Sequence, residues 1–234
     1  MNSFAESAIL LAAGRGERLR PLTDACPKPL LEVGGKPLIV HALERVRAAG
    51  IARVVVNTSW LAAQLHAALG DGSGFGVEIE FSDEGEVALE TGGGIRRALP
   101  LLSDPFLVVN ADVWCDADLG SLELGEGAAG QRDVATLLMV DNPPQHPKGD
   151  FVLDAGRLRV ARGDEARLTY AGLGLYRHAL FAGHQDGRFP LAPLLVAAMK
   201  QDRVGGVHHT GRWSDAGTAD RLAALDALLE TTLR

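Results

Sequence analysis

The order of apolar and helical segments limits the folds that this chain can adopt. In the first half, four apolar or alternating segments have the length of buried strands: residues 8–13, 53–58, 75–82 and 105–112. Three segments between them have the apolar spacing of helices: residues 37–50, 60–70 and 91–102. This β-α-β-α-β-α-β order predicts an α/β fold, with a mostly parallel sheet flanked by helices on both faces. In such sheets, ligands bind at the carboxyl ends of the strands.

The second half has a less regular order. Strands are predicted at residues 133–140, 170–177 and 203–209, and helices at residues 191–200 and 218–233. The sequence between the halves contains no linker, internal repeat or low-complexity tract. We therefore predict a single domain over residues 1–234, composed of a nucleotide-binding half (1–130) and a second half (131–234).

The composition argues against several classes of protein. The formal net charge of -7 does not favour nucleic acid as a partner. No apolar stretch approaches the roughly 20 residues that a membrane-spanning helix needs. The first residues lack a basic region and a long apolar core, so they predict a strand and not a signal peptide. Cys26 and Cys115 are far apart and match no metal spacing, which fits a reduced, cytoplasmic protein.

The loop after the first strand has the features of an anion-binding site. Residues 10–30 read LLAAGRGERLRPLTDACPKPL. Gly14 and Gly16 allow backbone N–H groups to approach a phosphate, and Arg18, Arg20 and Lys28 supply positive charge. A dinucleotide fingerprint would need a third glycine where Leu19 stands, and the GGK at 34–36 lacks the other residues of a P-loop. A turn with solvated arginines is the alternative.

A longer stretch carries a more specific signal. Residues 11–39 read LAAGRGERLRPLTDACPKPLLEVGGKPLI, which resembles the signature of the sugar-1-phosphate nucleotidyltransferases, with Glu17 in place of the usual threonine. The resemblance implies a Rossmann-like nucleotide-diphospho-sugar transferase (GT-A-like) fold. It also implies that the triphosphate is wrapped by residues 14–18, among them Gly16 and Arg18, and that Lys28 contacts the reacting phosphates. The residues implied to line the base are Leu11, Ala12, Ala13 and Gly14.

Two aspartates match the metal-binding motifs of the same family. Asp112 ends the segment VVNAD, and Asp215 lies in WSDAGT. Taken alone, each aspartate is more typical of a helix cap or a turn. The resemblance implies that both bind Mg²⁺, which accepts one or two carboxylates together with substrate phosphates and water.

The resemblance extends to further site residues. It places Glu84, Thr91 and Gly92 beside the base. Sugar-side contacts are implied at Asn110, Asp141, Gly149 and Gly172. Many relatives carry a V-E-K-P segment whose lysine meets the sugar phosphate. The corresponding residues 158–172, LRVARGDEARLTYAG, lack that segment, and Arg162 or Arg167 is left as a candidate cation.

Motifs along nearly the whole chain resemble one branch of the family. In order they are GDGSGFG, LETGGGI, NADVW, VDNPPQHPKGDF, TYAGLGLY, LAPLL and WSDAGT. This branch uses UTP and N-acetylmuramate 1-phosphate to form UDP-N-acetylmuramate and pyrophosphate in peptidoglycan recycling. The same chemistry with mannose 1-phosphate and GTP, or with glucose 1-phosphate and dTTP or UTP, remains open. A non-catalytic regulatory subunit and a nicotinamide oxidoreductase are more remote alternatives.

Overall fold

The computed structural model describes residues 4–232, so residue 233 of the predicted C-terminal helix lies outside the described residues. The strands are β1 Ser7–Leu11, β2 Glu32–Val33, β3 Lys36–Pro37, β4 Arg53–Thr58, β5 Glu78–Asp83, β6 Phe106–Asn110, β7 Val113–Cys115, β8 Ala135–Val140, β9 Val152–Asp154, β10 Arg157–Arg159, β11 Thr169–Tyr176, β12 Val204–His209 and β13 Trp213–Asp215. The α-helices are α1 Leu22–Ala25, α2 Leu38–Ala48, α3 Ala62–Leu69, α4 Glu90–Ala98, α5 Ala192–Met199 and α6 Ala219–Thr232.

Strands from both halves form one mixed sheet of nine strands, in the order β5-β4-β1-β6-β11-β8-β12-β10-β9. The first four are parallel to one another, as the alternating pattern predicts. β11 is antiparallel to both β6 and β8, and β10 is antiparallel to both β12 and β9. Two short ribbons, β2-β3 and β7-β13, lie outside this sheet.

The core is divided by the sheet into two layers. Along β1, Leu10 packs into the cluster that contains Leu43 of α2, whereas Ile9 packs into the cluster that contains Ile95 of α4. Successive side chains of a strand point to opposite faces, so a continuous apolar strand requires helices on both sides. A third, smaller cluster joins Leu225 of α6 to the β2-β3 ribbon. None of the helices described in residues 4–232 is long and apolar enough to span a membrane.

Several predicted boundaries differ from the structure. The predicted strand 8–13 ends at Leu11, because the N–H of Ala12 is bonded to a side chain instead of a strand. The predicted helix 91–102 ends at Ala98, and a single 3-10 turn containing Pro100 follows it. The predicted strand 75–82 begins at Glu78. The short strands β9 and β10 and both ribbons were not predicted.

Candidate active site

Three adjoining cavities lie at the carboxyl ends of the central parallel strands. Leu11 at the end of β1 is in register with Asn57 of β4 and Asn110 of β6. The first cavity, about 240 Å³, lies over these strand ends. The second, about 320 Å³, lies beside the loop after β1, and the third, also about 320 Å³, lies between β6, β11 and β13. Asp112 lines all three cavities, so it marks their junction.

Most of the predicted site residues line these cavities. The first cavity is lined by Leu11, Ala12, Ala13, Gly14, Lys28, Glu84, Thr91, Asn110 and Asp112. The second is lined by Gly14, Gly16, Arg18, Lys28 and Asp112. The third is lined by Arg18, Asn110, Asp112, Gly172 and Asp215.

A chain of buried hydrogen bonds fixes the wall of the first cavity. The backbone N–H of Ala12 donates to Oδ1 of Asn57 at 2.6 Å. Nδ2 of Asn57 donates to Oε1 of Glu84 at 2.6 Å, and the N–H of Leu89 donates to Oε2 of Glu84 at 2.6 Å. Gly94 permits this arrangement, since a Cβ at that position would lie 2.3 Å from Oε1 of Glu84. The chain therefore links β1, β4 and the start of α4 around one carboxyl group.

Glu84 is a buried carboxyl group at the edge of this cavity. Burial raises its pKa above the ordinary value, because an ionised carboxylate loses its hydration there. The hydrogen bonds from Leu89 and Asn57 and the charge of Arg97 lower the pKa and partly offset that effect. Glu84 therefore lines the first cavity as a carboxyl group whose pKa lies above its ordinary value.

The loop after β1 leaves an open face toward the second cavity. No heavy atom lies within 4 Å of the position that a Cβ on Gly14 would occupy. Gly16 has φ +68, a left-handed conformation that favours glycine, and its carbonyl accepts a hydrogen bond from Oγ1 of Thr23 at 2.9 Å. The side chain of Arg18 is exposed in this loop and lines the second and third cavities. This part of the site is therefore open, and it places the cations Arg18 and Lys28 beside the carboxylates of Glu17 and Asp112.

Lys28 and Asp112 form an ion pair between these cavities. Nζ of Lys28 donates a hydrogen bond to Oδ2 of Asp112. The Lys28 side chain is only 10% exposed, whereas that of Asp112 is 32% exposed. Lys28 begins a short 3-10 turn, Lys28–Leu30, and has a proline on either side, Pro27 and Pro29, which restricts the backbone that carries the lysine. A buried ammonium group held next to a partly exposed carboxylate is available to a ligand anion.

The β7-β13 ribbon brings Asp112 and Asp215 together. Asp215 is in register with Val113, the residue after Asp112. The N–H of Ala216 donates to the carbonyl of Asp112 at 3.0 Å. Oδ1 of Asp112 and Oδ2 of Asp215 accept no hydrogen bond from residues 4–232. Two carboxylates with free oxygens on a shared cavity match the oxygen ligands that a hard divalent cation prefers.

This candidate metal site consists of two carboxylates and no more. Within residues 4–232, no group of three or more His, Cys, Asp or Glu side chains is arranged to hold a metal ion. Mg²⁺ is commonly held by one or two carboxylates together with substrate phosphates, so the donor set fits that ion without a third protein ligand.

The predicted sugar-side residues fall into two groups. Asn110 and Gly172 are adjacent, because a Cβ on Gly172 would lie 2.6 Å from Nδ2 of Asn110. Asp141 does not line the cavities: its side chain is 78% exposed and hydrogen-bonded to His208. Gly149 also lies outside them, and its N–H donates to the carbonyl of His146 at 3.2 Å. Gly149 therefore shapes the loop that carries His146, which does line the third cavity.

The structure also places Gly92, Arg162 and Arg167 away from the cavities. A Cβ on Gly92 would lie 2.6 Å from the ring of Phe189, so this glycine serves a close packing contact. The N–H of Arg162 donates to Glu165 at 2.6 Å. Arg167 donates through its guanidinium group to the carbonyl of Gly163 at 3.3 Å. Neither arginine lines any of the three cavities.

Several residues that line or support the site were not predicted. Asn57 ends a predicted strand, and its position at the carboxyl edge was the available signal. Gln145 and Asp150 belong to the segment NPPQHPKGD and line the third cavity. Trp213 donates from Nε1 to the carbonyl of Ala171 at 2.9 Å, which fixes β13 against β11. Gln145, Asp150 and Trp213 lie in the motifs VDNPPQHPKGDF and WSDAGT, so the family resemblance was the available signal for these three residues.

Comparison with known proteins agrees with this geometry. The model of the nucleotidyl transferase family matches residues 7–162. The chain belongs to the nucleotidyl transferase family. It is 48% identical over 224 residues to the N-acetylmuramate alpha-1-phosphate uridylyltransferase of Neisseria meningitidis serogroup B, covering 94% of this chain and 97% of that protein. It is 36% identical to the protein of the same name from Caulobacter vibrioides, covering 98% of this chain and 99% of the other.

Solved structures support the same fold at low sequence identity. The inositol-1-phosphate CTP transferase from T. maritima superposes with a TM-score of 0.78 at 18% identity, covering 98% of each chain. The HddC protein from Yersinia pseudotuberculosis, solved in complex with GMP-PN, gives 0.75 at 17% identity, covering 98% of this chain and 100% of the other. The predicted nucleotide-diphospho-sugar transferase fold is confirmed, with a nine-stranded mixed sheet and flanking helices.

Proposed function

We propose that the protein transfers the uridylyl group of UTP to N-acetylmuramate 1-phosphate and releases pyrophosphate. The observation that carries this proposal is the junction at Asp112, where the β7-β13 ribbon adds Asp215 and the ion pair adds Lys28. Relatives with this activity in their names match nearly the full length of the chain, which supports the choice of UTP and N-acetylmuramate 1-phosphate.

The three cavities suggest how the substrates are divided. The uridine would occupy the first cavity, against the backbone of residues 11–14 and the carboxyl group of Glu84. The triphosphate would lie along the second cavity, where the N–H groups of the loop and the side chains of Arg18 and Lys28 are available. The sugar phosphate would enter the third cavity beside Asn110 and Gly172.

A divalent cation, for which Mg²⁺ is the proposed ion, would be held by Asp112 and Asp215. When bound, it neutralises charge on the phosphates that meet at this junction. The rest of the chemistry depends on side chains of the protein, and chiefly on how they place two anionic substrates next to each other.

The reaction needs positioning and charge neutralisation more than a strong base. A phosphate oxygen of the sugar 1-phosphate forms a bond to the α-phosphorus of UTP, and the bond from that phosphorus to pyrophosphate breaks. The second pKa of a phosphate monoester is about 6, so the nucleophile is already largely dianionic at neutral pH. In this proposal Lys28 would stabilise negative charge on the α-phosphate, and Arg18 would hold the leaving phosphates.

The proposal is tested by measuring pyrophosphate release with Mg²⁺ present. UTP, dTTP and GTP are each combined with the 1-phosphates of N-acetylmuramate, N-acetylglucosamine, glucose and mannose. Release that is confined to UTP with N-acetylmuramate 1-phosphate supports both the activity and a place in peptidoglycan recycling. Release with another pair would support the proposed reaction but show that the proposed substrates are wrong. No release by folded protein with any pair would instead support a non-catalytic subunit.

A further inference from the structure

Arg221, in the first turn of α6, has a buried guanidinium group with few partners. Its side chain is 18% exposed, and Nη1 lies 3.3 Å from Oδ1 of Asp215. Nε and Nη2 are buried and have no hydrogen-bond partner among residues 4–232. Burying a charged group in this way is costly unless a specific charge compensates for it, and the Asp215 carboxylate is that charge. The interaction with Asp215 is therefore the main reason for an arginine at this position.

An ion pair and a hydrogen bond, from different parts of the chain, meet at the same oxygen of Asp215. Besides Nη1 of Arg221, Nε2 of Gln145 donates to Oδ1 of Asp215 at 3.2 Å. Oδ2 of Asp215 accepts no hydrogen bond within the described part of the chain. A Cβ on Gly217, which lines the second cavity, would lie 3.1 Å from Oδ2. The carboxylate is thus contacted through Oδ1, and Oδ2 is left without a hydrogen bond from the described residues.

The helix that carries Arg221 is firmly attached to the domain. Leu225 and Leu229 pack into the cluster around Val33 of the β2-β3 ribbon. Oδ1 of Asp226 accepts a hydrogen bond from the N–H of Gly34 at 2.7 Å. The first turn of α6, with its guanidinium group, therefore has a fixed position relative to β13.

Gly217 provides the space that the guanidinium group requires. A Cβ built on this glycine would lie 2.1 Å from Nη2 of Arg221. A side chain at that position would displace the arginine from Asp215. Gly217 in the segment SDAGT therefore permits the ion pair between Arg221 and Asp215.

We infer that Arg221 is a positioning residue that orients Asp215 toward the divalent cation. It contacts Oδ1 and so leaves Oδ2 free for a cation beside the third cavity, which Asp215 lines. Groups that hold the ligands of a metal ion from behind typically change metal affinity by about 10- to 100-fold when they are removed. This inference rests on the proposed function, because it takes Asp215 to be a metal ligand.

The test compares metal binding in variants of the full chain. Mn²⁺ is titrated into wild type, Arg221→Met, Arg221→Lys and Asp215→Asn, and free Mn²⁺ is followed by electron paramagnetic resonance. The Mg²⁺ concentration that gives half-maximal turnover is measured on the same proteins. Arg159→Met is the matched control, because it removes an arginine paired with Glu165 away from the cavities.

We expect Arg221→Met to weaken Mn²⁺ binding and to raise the half-maximal Mg²⁺ concentration, both by about tenfold. Arg221→Lys should recover most of that loss, since it keeps a cation near Oδ1, and Arg159→Met should match wild type. Unchanged metal affinity in Arg221→Met, with Asp215→Asn impaired, would overturn the inference. If Asp215→Asn also binds Mn²⁺ normally, the proposed metal site itself is wrong. If Arg221→Met does not fold, Gln145→Leu and Arg221→Lys provide the same comparison at Oδ1.

Discussion

Replacing Lys28 by methionine should lower kcat strongly while leaving most of the stability. The ammonium group is almost fully buried and paired with Asp112. In the proposed mechanism it stabilises the negative charge that develops on the α-phosphate. Two unit charges about 4 Å apart interact by about 4 kcal/mol at an effective dielectric constant near 20. Part of the attraction between Lys28 and the substrate phosphates already exists before the transition state, and that part does not lower the barrier. Loss of one such positioned group typically lowers kcat by about 10²- to 10³-fold, or about 3–4 kcal/mol in the barrier.

The expected change in stability is much smaller. Asp112 loses its partner in Lys28→Met, but its side chain is 32% exposed and remains hydrated. We therefore expect a loss of about 1 kcal/mol, which lowers Tm by about 2–4 °C in a domain of this size. Lys36→Met is the matched control: its lysine pairs with Glu44 at an exposed site, and kcat should not change. Turnover of Lys28→Met within threefold of wild type, in protein with a native circular dichroism spectrum, would refute the role of Lys28.

Three further variants test other parts of the site. Asp112→Asn should lower turnover about 100-fold and weaken its dependence on Mg²⁺, and an unchanged Mg²⁺ titration would make Asp112 structural. Burial raises the pKa of Glu84, so the folded state holds that proton to higher pH than the unfolded chain. Ionised Glu84 therefore lowers the stability of the folded state once the pH exceeds the pKa of Glu84 in both the unfolded and the folded state. Glu84→Gln should therefore gain stability relative to wild type as the pH rises from about 4 to about 7 in urea unfolding, and a constant difference would contradict this. Gly172→Ala should lower the free energy of unfolding by about 1–2 kcal/mol, because φ at this position is +79. It should also raise KM for the sugar phosphate by displacing Asn110. An unchanged KM would mean that Asn110 does not contact the sugar phosphate.

Local patterns in the sequence predicted the first half of the sheet well. Each of the segments around Ile9, Val55 and Val108 is a short apolar run, and all three became central parallel strands. A strand that is buried on both faces of a sheet is apolar at nearly every position, so its local composition is sufficient to identify it. The short strands β9 and β10 were missed because three residues are too few to show a period.

The composition of the site depended on contacts that no local pattern encodes. Asp112 and Asp215 were paired through the family resemblance, and the structure supplies the physical cause in the β7-β13 ribbon. Asn57, Gln145 and Arg221 were missed because each contributes through a partner that is distant in sequence. Asp141 was predicted at the sugar, and in the structure its side chain is exposed and hydrogen-bonded to His208.

The most direct test of the central claim is a competition between two acceptor sugars. Equal concentrations of N-acetylmuramate 1-phosphate and N-acetylglucosamine 1-phosphate are incubated with UTP, Mg²⁺ and the purified protein, and the two UDP-sugars are separated and quantified at early times. Their ratio gives the ratio of the two kcat/KM values. The account predicts that UDP-N-acetylmuramate is the dominant product. Predominant UDP-N-acetylglucosamine, or no UDP-sugar at all, would contradict it.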